Sequence, residues 1–405
     1  MATFFLLIIY LAFISLGLPD SLLGAAWPVM HADMGEPLGT AGALYMVVAA
    51  GTIVSSLASG AVVNRFGTGK VAAISCVMTA GALLGFSVSP SLGWLVLFAI
   101  PLGLGAGSVD AGLNNYVAAH YKARHMSWLH CFWGVGATLG PMIMGYYISG
   151  SGSWRDGYLA VSAIQFVLVV ILFVALPLWD RVAGISSGQA ASDVTGGDAG
   201  AGSPDDQAGG APVKPMQLKG VKLALVAFLF YCGVESTAGL WGSSYLVDVK
   251  GLSAATAAKW VSMYYAGITI GRLITGFITF KVSNRQLIRY GQATALAGAA
   301  LLVLPLPAGW SLAGLMIIGL GLAPIFPCML HETPVRFGKR HAQTIMGYQM
   351  AVAYTGSTLM PPLLGFIASH STIGIYPAFL AIAAAAMLFF SERLNGDLNR
   401  RLKRA

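Results

Sequence analysis

The sequence predicts an all-α membrane protein whose twelve transmembrane helices form two pseudo-symmetric six-helix bundles. Three observations predict it. Hydrophobic residues make up 57% of the chain and charged residues only 9%, where a soluble domain averages about 25% charged. Apolar runs recur along the chain, each close to the roughly 20 residues a helix needs to cross hydrocarbon. The glycine pattern of the first half returns in the second. The net charge of +8 is not a nucleic-acid footprint, because the basic residues sit in loops between apolar runs, as membrane topology demands.

The segments run near 4–29, 39–62, 71–90, 93–118, 128–149, 158–178, 222–247, 254–280, 287–306, 309–331, 343–368 and 374–391. The first has no basic leader and is too long for a cleaved signal peptide. An even count puts both termini on one side. Arg65, Lys70, Lys122, Arg124, Lys281, Arg285, Arg336, Lys339, Arg340, Arg400 and Arg404 crowd that side, against Arg155 and Lys250 opposite. The positive-inside rule makes it the cytoplasm, with the chain in the inner (plasma) membrane. Residues 182–213 are rich in Gly, Ala, Ser and Asp and cannot bury a core. The expected division is therefore a first bundle over 1–180, a flexible cytoplasmic linker over 181–219, and a second bundle with a basic tail over 220–405.

The repeat is the strongest organisational signal. Ala50-Gly51 and Gly60 in segment 2 match Ala266-Gly267 and Gly276 in segment 8, at an offset of 216. Gly103-Leu-Gly105 in segment 4 matches Gly319-Leu-Gly321 in segment 10 at that offset. Gly136 to Pro141 in segment 5 matches Gly356 to Pro361 in segment 11, offset 220. Parallel six-helix repeats about an axis along the membrane normal suit an alternating-access carrier.

Between segments 2 and 3 stands Gly60-Ala-Val-Val-Asn64-Arg65-Phe-Gly67-Thr-Gly69-Lys70. This resembles the loop signature of the major facilitator superfamily, with Asn64 where that family has aspartate. Within the superfamily the chain is similar to the fucose–galactose–glucose proton symporters. Asp110-Ala-Gly-Leu-Asn114-Asn115, Leu129-His130 to Gly140-Pro141, and Tyr231 to Trp241 carry that likeness. Those symporters usually have glutamate and Asn-Pro in segment 4, where this chain has aspartate and Asn-Asn. Asp20 fills the place of their acidic residue in segment 1. The resemblance implies a proton-coupled importer of a sugar or similar polyol. Small solute, protons and the bilayer are its partners, and it works as a monomer without cofactor or metal. An exporter of drugs or metabolites with the same fold is the alternative, then a non-transporting receptor.

Four charges lie well inside spanning segments, away from their ends: Asp20, Asp110, Glu235 and Arg272. Three acids against one base leave excess negative charge in a low-dielectric interior, and protonating an acid relieves it. Asp110, near mid-membrane on a glycine-rich helix, is the first candidate for proton coupling, with Asp20 and Glu235 beside it. Asn114 shares the face of Asp110, four residues on. Asp20 follows Pro19, which breaks the helix, and broken helices mark transporter binding sites. Gly17 and Gly233 align in the repeat, so Asp20 and Glu235 are near-equivalent. Arg272 is expected to pair with an acid or to snorkel. Expected substrate-binding residues are Asp20, Asn114, His130, Trp133, Tyr231, Glu235, Trp241 and Gln349. The two tryptophans would stack on a sugar ring, although Trp241 also suits a membrane-interface belt.

Enzyme signatures are missing: no HExxH or Walker sequence occurs. The four cysteines lie in apolar segments without CxxC spacing, as small packing residues do.

Overall fold

The structure is a computed structural model that describes residues 2–121, 123–150, 152–179, 215–279 and 281–402. Fourteen α-helices with both ends among these residues follow one another, and 176–179 are helical as well. The first half holds α1 (Ala2–Asp20), α2 (Leu22–Met34), α3 (Thr40–Phe66), α4 (Thr68–Val88), α5 (Leu92–His120), α6 (Ala123–Gly150) and α7 (Trp154–Val174). The second holds α8 (Val221–Asp248), α9 (Ala254–Ile278), α10 (Asn284–Val303), α11 (Ala308–Leu322), α12 (Ile325–Phe337), α13 (Lys339–His370) and α14 (Tyr376–Leu402). No strand occurs among the described residues. In hydrocarbon every backbone polar group must be satisfied within the chain, and helices do this segment by segment.

Ten stretches among the described residues are long and apolar enough to cross a membrane. Two of them, Phe5–Met34 and Ala308–Phe337, join consecutive helices. The expected segments 5 and 9 are helical as α6 and α10, but they are too polar to be among the ten. The expected linker lies mostly outside the described residues. Its last part is ordered: Pro215–Gln217 form a 3-10 turn, and Leu218 packs against the cluster around Val221 and Leu394.

The break expected at Asp20 is present, between α1 and α2 at Ser21. Segment 10 breaks similarly, at Ala323 and Pro324 between α11 and α12. Gly67 explains part of the loop signature. It joins α3 directly to α4 with φ +81° and ψ 149°, a region open in practice to glycine alone. Among the described residues, Asn64, Arg65 and Lys70 are exposed and form no ion pair. The substitution of asparagine for aspartate fits that. The tight start of α10 comes from a capping box, in which Ser283 and Gln286 satisfy each other's backbone N–H groups.

The sequence repeat is a packing repeat. Gly103 of α5 lies against the Val48 carbonyl of α3, and Gly319 of α11 against the Tyr264 carbonyl of α9. Gly136 of α6 lies on the Ile14 carbonyl of α1, and Gly356 of α13 on the Leu229 carbonyl of α8. Small residues let helix backbones approach closely where lipid supplies no hydrophobic drive between helices. The halves meet through α6 with α9, α3 with α13, and α2 with α8. There Gly24 sits on the Gly239 and Leu240 backbone, and Gly42 on Pro362.

This packing separates two glycines of similar sequence context. Gly103→Ala drives a methyl into the Val48 carbonyl and is expected to cost about 1–3 kcal/mol, as overpacking does. A methyl added at Gly60 would meet nothing within 4 Å. Gly60→Ala is therefore expected to be neutral or to stabilise by up to ~1 kcal/mol through helix propensity. Thermal unfolding of the purified variants in detergent checks both.

Candidate functional site

The break after α1 leaves Asp20 at the end of a helix halfway along the first span. Asp20 is solvent-exposed, so it borders an internal opening rather than packed side chains. The Trp133 indole of α6 donates a 2.8 Å hydrogen bond to Asp20 Oδ2. Gly17, one turn before Asp20, lets the α6 backbone at Trp133 come that close. Asp110 of α5, Tyr45 of α3 and Tyr265 of α9 lie within electrostatic reach of Asp20. Helices of both halves thus surround one carboxyl.

Asp110 is partly buried, and its Oδ1 accepts a 2.8 Å hydrogen bond from Asn114 Nδ2. The shared helix face expected for this pair is what makes the bond. Tyr354 of α13 stands within electrostatic reach of Asp110 and beside Ser56 of α3.

Glu235 of α8 faces Arg272 of α9, with Arg272 Nη2 donating to Glu235 Oε1 at 3.4 Å. The side chains retain 18% and 12% exposure, so the pair is held mostly out of water. Arg272 also reaches into the first half. Its Nη1 donates to the His130 carbonyl at 3.5 Å, and its guanidinium lies 5.0 Å from the centre of a Trp133 ring. The indole that holds Asp20 therefore also lies under Arg272. Tyr265 stands edge-on to Trp133 at 6.4 Å, and Tyr45 lies beside Ser236 of α8.

Asp20, Asp110, Asn114, Trp133 and Glu235 are thus brought to one central region. Other expected substrate residues lie elsewhere. Trp241 is fully buried, and its indole donates to the Pro361 carbonyl at 2.8 Å. It fills the space between α8 and α13 beside Gly365, neither at the opening nor in a membrane belt. Gln349 is 1% exposed and accepts from Thr333 Oγ1 at 2.9 Å. Tyr231 is fully buried within electrostatic reach of Glu235 and Arg272, so it does not face the opening. The His130 ring packs between Phe13 and Phe326, at 6.0 and 6.4 Å. Its carbonyl meets Arg272, and the ring lies within electrostatic reach of the same guanidinium.

Tyr45, Ser236, Tyr265 and Tyr354 are additions that the sequence did not single out. Tyr265 stands next to Ala266-Gly267 of the repeat, which is the one sequence signal near it. Among the described residues no group of His, Cys, Asp and Glu could hold a metal ion. The four cysteines are free thiols.

Known proteins share this architecture. The family description "Major Facilitator Superfamily" matches residues 9–361. The chain is 23% identical over 383 residues to "Bypass of stop codon protein 6" of Saccharomyces cerevisiae, covering 90% of this chain and 76% of that protein. It is 21% identical over 393 residues to the glucose/mannose transporter GlcP of Bacillus subtilis, covering 95% and 93%. Its fold matches the crystal structure of a D-xylose-proton symporter with TM-score 0.71 at 13% identity, covering 95% of this chain and 97% of that one. The protein is a membrane transporter of small solutes, not an enzyme, and the chain belongs to the Major Facilitator Superfamily.

Proposed function

We propose that this protein is a proton-coupled symporter of a small, uncharged, hydroxyl-rich solute, with sugars as the leading class. One observation carries the reading: the charge balance around the opening. Asp20 is exposed there and held by a neutral indole donor, with the Asp110 carboxyl nearby. Among the described residues the base of this group is Arg272, which Glu235 already engages. Within this group, among the described residues, no free cation is left to hold an anionic solute. Carboxylates, indole and phenols instead offer what a sugar needs: acceptors for hydroxyls and flat apolar faces for ring C–H groups. The likeness to a glucose/mannose transporter and a xylose-proton symporter supports the same class. Asp110 is the proton carrier in this reading, and Asp20, Trp133, Asn114 and Glu235 are the substrate contacts.

The test is uptake by the purified chain in liposomes under an imposed proton gradient. Hexoses and pentoses are compared with dicarboxylates and aromatic acids. A sugar should accumulate above its external concentration, and the anions should not. Accumulation of an anion with no sugar transported would sink the reading.

The same proposal has twelve spans in the inner membrane with both termini in the cytoplasm, supported by the loop charge bias. Reporter fusions after Ala405 and near Gly200 are expected to give cytoplasmic signals. A periplasmic signal at either site would overturn the count.

A further inference from the structure

Trp133 makes two contacts that point to different halves of the protein. Its N–H donates to Asp20 Oδ2 at 2.8 Å, within the first half. Its ring face lies 5.0 Å from the guanidinium of Arg272, which belongs to the second half. Arg272 is itself divided. It reaches Glu235 of its own half at 3.4 Å and the His130 carbonyl of the other half at 3.5 Å. Both distances exceed the usual 2.7–3.2 Å range for N–H···O bonds. Arg272 is thus shared between two loose anchorages, not locked to one.

The indole links these contacts electronically. Donating to an ionised carboxylate leaves the ring richer in electron density and improves its hold on a cation. A protonated Asp20 is a poorer acceptor, so the N–H bond and the ring's pull on Arg272 weaken together. Arg272 then has one reason fewer to lean across the interface, and Glu235 keeps it in the second half.

We propose that Trp133 is a positioning residue that relays the charge of Asp20 to Arg272, so that Arg272 clasps α6 to α9 while Asp20 is ionised and lets go when it is protonated. The inference goes beyond the proposed function, in which Asp110 carries the transported proton: here Asp20, exposed to the opening, exchanges a proton of its own with the water there. The proton comes from water there and goes to the Asp20 carboxylate. The groups facing Asp20 are Asp110 of α5, Tyr45 of α3, Trp133 of α6 and Tyr265 of α9. Those facing Arg272 are Glu235 and Tyr231 of α8 with Cys131 and His130 of α6. Of these groups, Trp133 is the one that touches both Asp20 and Arg272.

The clasp lies toward one end of the α6–α9 contact. Gly134 packs on Thr269 and Gly145 on Ala255, so the two helices run antiparallel, and Trp128 and Phe277 flank the clasp beyond them. Both are exposed, at 52% and 69%. Genetically encoded spin labels at positions 128 and 277 of the full chain in lipid nanodiscs report the helix separation by pulsed EPR. In the wild type, moving from mildly alkaline to mildly acidic buffer should shift the population to longer distances. Asp20→Asn should give the acidic distribution at either pH. Trp133→Phe keeps a ring but loses the N–H, and its pH-dependent shift should fall to less than half. Arg272→Lys cannot span both anchorages and should likewise blunt the shift, which guards against misfolding of the tryptophan variant.

A full wild-type shift in both Trp133→Phe and Arg272→Lys, with none in Asp20→Asn, would refute the relay but leave Asp20 as a group that exchanges protons and the Asp110 assignment untouched. An undiminished shift in Asp20→Asn would instead remove Asp20 from proton exchange and take the relay with it. A wild-type chain without any shift would refute the relay outright.

Discussion

Asp110→Asn is expected to abolish proton-driven accumulation of substrate while leaving exchange of substrate across the membrane. Asparagine has the shape of aspartate and still accepts the hydrogen bond that Asn114 gives Asp110 Oδ1. What it loses is the ability to carry a proton. Asp110 is partly buried, has Asp20 and Tyr354 within electrostatic reach, and forms no ion pair with any described base. The substitution therefore orphans no cation, and the helix should stand. A carrier coupled to one charge gains about 2.3 kcal/mol from each 100 mV of membrane potential. That supports roughly fiftyfold accumulation, a tenfold ratio being about 1.4 kcal/mol. The variant should accumulate nothing beyond equilibration. Parallel measurements of uptake and counterflow in liposomes decide it. If Asp110→Asn still concentrates substrate, the proton rides elsewhere, and Glu235 is next in line.

The second large effect is one of stability. Glu235→Gln should lower the thermal midpoint sharply, because it leaves the guanidinium of Arg272 mostly buried without its carboxylate. Breaking a buried ion pair from one side costs about 3–5 kcal/mol. The 3.4 Å separation and the residual exposure of 18% and 12% reduce that here, to roughly 2–3 kcal/mol by the same principle. The His130 carbonyl and the Trp133 ring remain as partial partners for the cation. The double variant Glu235→Gln, Arg272→Gln removes both charges and should recover most of the loss. Thermal unfolding of both variants in detergent checks this. A double variant no more stable than Glu235→Gln would mean that the pair is not what Glu235 contributes. Substrate affinity should fall as well, by about ten- to a hundredfold for a lost charged hydrogen-bond partner, if Glu235 reaches the solute.

The sequence by itself determined the architecture. Long apolar runs have few alternatives to spanning helices, because hydrocarbon tolerates no unpaired backbone. The repeated glycines carry their own contacts in their spacing. The offset of 216 that relates Gly103 to Gly319 also relates Val48 to Tyr264, the residues whose carbonyls they touch. Glycine keeps that relation because only the missing side chain lets the helices close. The local pairs are legible too. Asp110 and Asn114 are one turn apart, and Pro19 announces the break at Asp20.

The tertiary structure alone decided which polar side chains share the centre. Trp133 meets Asp20 across 113 positions, and Arg272 meets Glu235 across 37. A helix that is apolar on every side carries almost no amphipathic signal to mark the face turned to an opening. Trp133 and Trp241 are therefore both candidates to stack on a ring in the sequence, and only packing puts one beside Asp20 and seals the other against Pro361. Gln349 falls away from the site for the same reason, since Thr333 satisfies it inside the second bundle. Tyr45 and Tyr265 are hidden in the sequence because a tyrosine in an apolar run looks like core until its hydroxyl's neighbours are known.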